Sequence, residues 1–408
     1  MTQQLSQRQI VILTVAAAAI LMITMGVRQT SGLFLLPITQ SAGVTVVAFS
    51  FALAIGQFMF GLAQPVFAAI ADKYGAIRVI IGGALMMALG SILTPYMSSS
   101  GGLLFTMGIL GAAGAAAGSF SILIGIAAQR LPVEKRSFAS GFINAGGSLG
   151  QFVFAPLVQL FIGAAGWVSA MFFTAAAALL TIPLTWLLRE SKKEAAPAHA
   201  HVILPQVSLS EQLRDAMRNP SYLYLHAGFF TCGFHVAFLV THLPSDLQLC
   251  GLNASVAANS LALIGLFNIA GSLIAGWLGQ RYRMKYLLAA IYGSRAVIVA
   301  IYMVMPKTAL NVYLFAGALG FTWLATVPPT AGLVGKLFGT RYIATLFGLT
   351  LVSHQVGGFL GAWLGGVALA RTGTYEWIWY ADIALALLAA VINFPIREQR
   401  LDARVVPA

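Results

Sequence analysis

Residues 10–38 read IVILTVAAAAILMITMGVRQTSGLFLLPI, an apolar run with one charge in it, Arg28. At about 1.5 Å of rise per helical residue, such a run exceeds the roughly 30 Å hydrocarbon core of a bilayer. Arg28 therefore lies deep in the hydrocarbon. A guanidinium does not shed its charge there, and it is tolerated facing a water-filled cavity, a counter-charge or an anionic ligand. The functional reading is a ligand site. The structural alternatives are an ion pair with a carboxylate on another helix, or a side chain that snorkels to the interface.

The rest of the chain is of the same kind. Of its 408 residues 59% are hydrophobic and only 8% charged, with a mean hydropathy of +0.87. A soluble globule carries about a quarter charged residues, so that class is excluded and the chain reads as a polytopic membrane protein. Its 42 glycines suit helices that approach closely. Apolar runs of about 20 residues, rather than alternating runs of about 10, select helices over a barrel. No cleavable signal peptide is evident, because the first run is too long and has no small-residue cleavage site. Cys232 and Cys250 form neither a disulfide framework nor a metal signature. The net charge of +12 is topological in a membrane protein and does not point to nucleic acid.

Hydropathy predicts twelve spans, near 9–38, 46–71, 76–97, 102–129, 138–162, 166–188, 221–243, 255–279, 285–305, 310–335, 342–369 and 375–395. Nineteen of the 23 lysines and arginines then fall at the termini or in even-numbered loops, which predicts cytoplasmic termini. The longest polar stretch, Arg189 to Pro220, carries an amphipathic piece from Leu209 to Met217 and reads as an interfacial linker. The expected division is a six-helix half at 1–190, a linker at 191–219 and a second half at 220–408. The halves repeat. A shift of 207 carries Gly26, Arg28 and Pro37 onto Gly233, His235 and Pro244, and Gly141 and Gly150 onto Gly348 and Gly357. A shift of 209 carries Gly108 and Gly111 onto Gly317 and Gly320. A shift of 208 carries Asp72-Lys73-Tyr74 onto Gln280-Arg281-Tyr282. Four segments in near-common register imply an internal duplication, which is characteristic of secondary transporters with a site at the repeat interface.

The loop Ala68-Ala69-Ile70-Ala71-Asp72-Lys73-Tyr74-Gly75-Ala76-Ile77-Arg78 resembles the cytoplasmic signature of the major facilitator superfamily. The resemblance covers essentially the whole chain and implies an all-α membrane fold of twelve helices in two pseudo-symmetric halves. It also implies a conformational latch at Asp72, Lys73, Gly75 and Arg78, in which the acid pairs across the half-interface. Ala68 replaces the usual first glycine, and the second copy has Gln280 in place of the acid. Gly32 to Ile38, Val327 to Leu333 and Phe338-Gly339 look most like the monocarboxylate and oxalate/formate branch.

Within that architecture the first and seventh helices line the central cavity, so Arg28 and His235 become candidate substrate contacts. Arginine offers a planar fork of donors to a carboxylate, and imidazole donates a hydrogen bond or carries a proton. Oxalate-type relatives place a cationic residue in the eleventh helix, and the resemblance makes His354 the candidate for that part. In the eighth helix Asn268 is followed four residues later by Ser272, where lactate-branch relatives tend to carry arginine. Gln57, Asn144, Trp323 and Gln355 complete the candidate binding set, with Gln64, Gln151, Thr322, Thr326 and Phe34 as further cavity residues. Arg295 and Asp382, at similar depth in peripheral helices, read as a structural ion pair. Asp382 is the one acidic residue deep in a predicted span, so Arg28 has no obvious mate.

These residues predict a secondary carrier of a small organic anion, driven by proton symport or anion exchange, working as a monomer in the lipid bilayer of the inner membrane. No cofactor is implied. The alternative is an importer of copper, held by Met22, Met25, Cys232 and His235, or of another small solute or cofactor. A membrane sensor that binds without translocating is a third reading. An enzyme is disfavoured by the lack of a nucleotide-binding loop, clustered carboxylates or an H-E-x-x-H spacing.

Overall fold

The computed structural model describes residues 6–97, 99–131, 133–189, 208–339 and 342–399, without the side chains of 72, 128, 129, 133–138 and 344. Among the described residues there are twelve crossings and no strand. They are α1 (Gln7–Ala42), α2 (Val46–Tyr74), α3 (Ala76–Leu93), α4 (Ser100–Ala127), α5 (133–165), α6 (167–186), α7 (Pro220–Leu249), α8 (Ala254–Arg281), α9 (Met284–Val304), α10 (Ala309–Phe338), α11 (Ile343–Thr372) and α12 (Glu376–Asn393). The predicted spans are thus all present. The fifth and sixth meet without a loop, hinged where Gly166 takes φ +80°. The linker helix Leu209–Arg218 begins with a reciprocal capping box between Ser208 and Glu211. It docks on the second half through Ala216 and the Gln212 side chain, which donates to the Phe338 carbonyl at 2.7 Å. Residues 191–207 of the expected linker and the carboxylate of Asp72 lie outside the described residues.

The duplication is visible in the backbone. Gly43 and Gly251 have φ of +65° and +81° between the first and second helix of each half; Gly166 and Gly373 have +80° and +72° between the fifth and sixth. Left-handed backbone is cheap only for glycine, so these turns recur at repeat spacing. The helix seams recur as well. In the first half α1 and α5 touch through Gly26 and Gly150, where a Cβ would meet the Gly150 and Met22 carbonyl oxygens. In the second half α7 and α11 touch through Gly233 and Gly357 against the His354 and Phe230 carbonyls. Backbone approach of this kind is what small residues permit inside lipid.

Three helices break in mid-membrane, and each break is satisfied internally, as an apolar solvent requires. In α1 the α-helical ladder stops at Gln29, a 3₁₀ turn occupies Ser31–Phe34, and helix resumes at Leu35. In α4 a π-helical stretch, Leu104–Gly111, is followed by a stop at Gly118, whose carbonyl accepts from Thr24 Oγ1 at 3.0 Å. In α10 the break spans Trp323 to Thr326 just before Pro328-Pro329, which have no N–H to offer and exclude the preceding turn. Pro244, by contrast, lies inside an unbroken α7.

The core shows how the halves meet. One apolar cluster joins Leu33, Phe34 and Phe49 of the first half to Phe238, Leu243 and Leu261 of the second, all at the end remote from the linker. At the linker end each half has its own cluster, around Leu13, Ile20 and Leu123 in one and Tyr222, Leu225 and Leu333 in the other. The bundle is therefore sealed across its far end and divided toward the linker. The far seal includes Gly32 under the Val240 carbonyl, Gly265 under the Ser148 carbonyl, and Phe51 edge-on to Phe359 and Trp363.

A Cβ on Gly265 would lie 2.7 Å from the Ser148 oxygen and 3.0 Å from Gln151 Cβ. Gly265→Val is expected to wedge the far ends apart. Spin labels at Ser41→Cys and Asn253→Cys, with the two native cysteines removed, should report a longer mean distance in that variant than in its parent. An unchanged distance distribution would show that the seal does not depend on this contact.

Candidate functional site

The break in α1 places Arg28 at the last turn of a regular helix, where the main chain has begun to tighten. Its carbonyl accepts from the Thr30 N–H and from Ser31 Oγ at 2.8 Å, and Thr30 Oγ1 donates to the Val27 carbonyl at 2.9 Å. Hydroxyls thus hold the turn closed in place of missing backbone bonds. The guanidinium, partly buried, points from there into a pocket of about 80 Å³.

Two neighbours orient it. One Nη2–H donates to Gln57 Oε1 of α2, and the guanidinium lies over the Phe60 ring, 4.0 Å from its centroid. Gln57 and Phe60, three residues apart, project from one face of α2. An amide and a π-face stabilise a cation without neutralising it, so the positive charge remains uncompensated. No carboxylate pairs with Arg28 among the described residues. Ser31, Phe34, Ser91, Thr94 and Thr174 line the remainder, with Val240 and Thr241 of α7 as the contribution from the second half. The site lies mainly within the first half rather than astride the interface, because the far-end seal brings α7 down on Gly32 and leaves the cavity behind it.

Of the sequence candidates, Arg28, Gln57 and Phe34 share this pocket. The others are elsewhere. His235 is fully buried and turned from Arg28 toward α12, where its Nδ1 lies 2.6 Å from Asp382 Oδ2. Its repeat relation to Arg28 holds in sequence and does not bring the side chains together. Trp323 is buried edge-on to His235, ring centroids 5.8 Å apart, and His354 lies tilted against Phe229 at 5.2 Å; neither belongs to the Arg28 pocket. Gln355 is buried against Gly61 and Gln151 against Gly265, both in contacts between the halves. Asn144, partly buried on α5, is likewise outside the pocket lining. Gln64 accepts from Ser121 Oγ at 2.9 Å and holds α2 to α4.

Two further expectations are corrected. Arg295 and Asp382 do not pair. Asp382 is engaged by His235, while Arg295 Nη2 donates to the Thr322 and Trp323 carbonyls at 2.5 and 3.0 Å. Equal depth suggested the pair, but the carbonyls freed by the α10 break are the nearer claim on the guanidinium. Nor do the soft ligands converge. Met22 and Met25 pack on α5 at Gly150 and Gly147, whereas Cys232 Sγ sits 3.4 Å from Thr326 Oγ1 in the second half. Asn268 is structural: its Nδ2 donates to Ser148 Oγ at 2.8 Å across the halves, and its Oδ1 accepts from the Leu324 N–H at 2.9 Å and Ser272 Oγ at 3.1 Å. Of the latch residues, Gly75 takes φ +95° between α2 and α3, Lys73 lies 5.1 Å from the Tyr74 ring centroid, and Arg78 donates to the Tyr74 carbonyl at 3.3 Å.

Sequence reasoning missed Phe60 and the hydroxyls of α3, α4 and α6. The available signal was spacing: Phe60 follows Gln57 by one turn, and Ser91 and Thr94 share a face of an otherwise apolar helix.

A family model described as Major Facilitator Superfamily matches residues 15–362. Among curated relatives, monocarboxylate transporter 13 of Bos taurus is 27% identical over 86% of this chain and 80% of its own length. The oxalate:formate antiporter of Oxalobacter formigenes is 25% identical over 94% of this chain and 89% of its own. Among solved structures, a bacterial homologue of the human lysosomal transporter Spinster, in an inward-facing and unoccupied conformation, superposes with a TM-score of 0.76 at 15% identity, covering 95% and 97% of the two chains. A D-xylose-proton symporter gives 0.74 at 13% identity, with coverage of 96% and 99%.

Removing the Asn268 side chain leaves the Leu324 N–H without its acceptor. Asn268→Ala is expected to cost about 1–3 kcal/mol, read as a lower midpoint of thermal unfolding in detergent. A midpoint equal to that of the parent would show that the α10 break is held by other means.

Proposed function

We propose that this chain, which belongs to the Major Facilitator Superfamily and is a multi-pass membrane transporter, carries a small organic anion of the monocarboxylate class by alternating access. The observation that supports this reading is the Arg28 guanidinium, buried in the pocket beside neutral partners only. A cation held in low dielectric with no protein counter-charge binds a carboxylate strongly, and the planar fork favours a bidentate grip. The pocket's size supports a passenger of few atoms, since sites for drug-sized molecules run to roughly 300–1,000 Å³. The names of the two curated relatives agree in chemical class.

In this reading Arg28, backed by the Phe60 ring, holds the carboxylate, Gln57 and Ser31 offer further hydrogen bonds, and Phe34 faces the apolar remainder. The far-end seal and the separate linker-end cores correspond to one end state of a rocking motion between six-helix halves. The distribution of lysine and arginine supports a cytoplasmic position for both termini and the linker, and in the inner membrane, where we infer the carrier resides, this state opens inward. The carrier works as a monomer. The copper reading loses support because its four ligands are split between the halves.

Uptake of labelled formate, lactate and oxalate into proteoliposomes tests the assignment. Arg28→Ala should remain monodisperse and lose at least about 30-fold in uptake, the equivalent of 2 kcal/mol or more for a lost buried charge pair. Arg28→Lys should retain only part of the activity, because a point charge does not reproduce the fork. Equal uptake by wild type and Arg28→Ala removes the anion site.

A further inference from the structure

Between α7, α9, α10, α11 and α12 the second half encloses a group of polar side chains that the Arg28 pocket does not use. Asp382 and His235 are each 0% exposed and joined through Oδ2 and Nδ1 at 2.6 Å. Asp382 Oδ1 and His235 Nε2 have no hydrogen-bond partner. Arg295, also 0% exposed, spends Nη2 on the α10 carbonyls and leaves Nε and Nη1 without partners. We propose that the His235–Asp382 pair is a proton-binding site that couples transport to a proton gradient.

The charge count supports this. Arg295 stays positive. When Asp382 is ionised and His235 is neutral, with its one proton on Nδ1, the group as a whole carries no net charge, and the 2.6 Å bond is an N–H donating to a carboxylate. The open atom is then the lone pair of Nε2. A proton arriving there forms one N–H bond and leaves the Nδ1–Oδ2 bond in place. The group gains a single positive charge, and the reverse step returns it. A pair committed only to holding α7 against α12 would have no need of an unoccupied basic nitrogen in a sealed interior, where unsatisfied polar atoms are costly.

Further polar groups adjoin the same stretch of α7 at the α10 break. His354 on α11 is partly exposed, its Nδ1 is without a partner, and its imidazole adjoins Cys232, one turn before His235 on α7. Cys232 Sγ lies 3.4 Å from Thr326 Oγ1 and 3.9 Å from the Trp323 carbonyl, at the break in α10. The other ionisable group facing this region is Tyr292 of α9, whose hydroxyl is committed to the Gly228 carbonyl at 2.6 Å. No other acidic residue faces the pair among the described residues.

Coupling follows from α7 itself. His235 precedes by five and six residues the Val240 and Thr241 positions that wall the Arg28 pocket, and the Val240 carbonyl is the contact against Gly32. Charge on His235 and an anion on Arg28 therefore act on one helix from opposite sides. This deepens the proposal of anion carriage and rests on it only for the passenger; it selects proton symport over anion exchange.

The test compares two assays in proteoliposomes with formate, lactate and oxalate as probes: exchange across the membrane at equal pH, and accumulation driven by an acid exterior. Asp382→Asn and His235→Gln, the latter keeping a donor toward Asp382, are expected to exchange anion yet lose acid-driven accumulation altogether. A folded variant that still accumulates under the gradient as wild type does overturns the proposal. A structural role alone would lower both assays together. Infrared titration of the lipid-reconstituted wild type supplies a readout independent of any passenger. An imidazole band that titrates and vanishes in His235→Gln supports the site, and its absence from the wild type overturns it even if the variants fail to fold. If wild type moves none of the three anions, the anion reading falls, and the infrared result alone decides the proton site.

Discussion

Backbone satisfaction in an apolar medium governs this fold. Lipid offers no hydrogen bonds, so every interrupted helix has to find partners within the protein. The structure breaks α1, α4 and α10, and at each break a specific side chain stands in: Ser31 and Thr30 for α1, Thr24 for α4, Arg295 and Asn268 for α10. The breaks in α4 and α10 occupy equivalent places in the repeat, and the one in α1 presents Arg28 to the pocket. What reads as a chemical inventory of polar residues inside the membrane is in large part the upkeep of discontinuous helices.

That division explains why two charged residues within the membrane have different roles. Arg295 and Arg28 are both intramembrane guanidiniums, one in each half. Arg295 faces the Thr322 and Trp323 carbonyl oxygens, freed where the α10 ladder is interrupted between Trp323 and Thr326, and it is fully enclosed. Arg28 faces an amide, a ring and open space. Only the second arrangement leaves a charge with work to do on a mobile molecule.

Length, apolar runs and repeat spacing made the twelve crossings and the two halves legible from the residues alone, because burial in lipid is a one-dimensional property. Arg28 was legible for the same reason: a lone charge within an apolar run stands out, and Gln57 and Phe34 followed by depth. Direction around a helix axis was not legible. His235 and Asp382 can be placed at a depth from sequence, but which neighbour each one faces depends on how α7 packs against α12. The mistaken Arg295–Asp382 pair came from matching depth without azimuth. A usable signal was present in Val327-Pro328-Pro329, since two prolines in mid-span announce carbonyls in want of a donor. The fused α5 and α6 gave less warning, as Gly166 alone makes the turn.

The far-end seal is built in good part from glycine in close approach: Gly32 on the Val240 main chain, Gly265 on the Ser148 main chain, and Gly366 on the small side chain of Ser50. The side chains that meet around these glycines are apolar, among them Leu33, Phe34 and Phe49 against Phe238, Leu243 and Leu261, with the aromatic group of Phe51, Phe359 and Trp363 beside them, and no ion pair bridges the seal among the described residues. Parting such surfaces strips no counter-ions. The joint thus combines close fit with ease of release, and its strength is set by shape, making it indifferent to ionic strength.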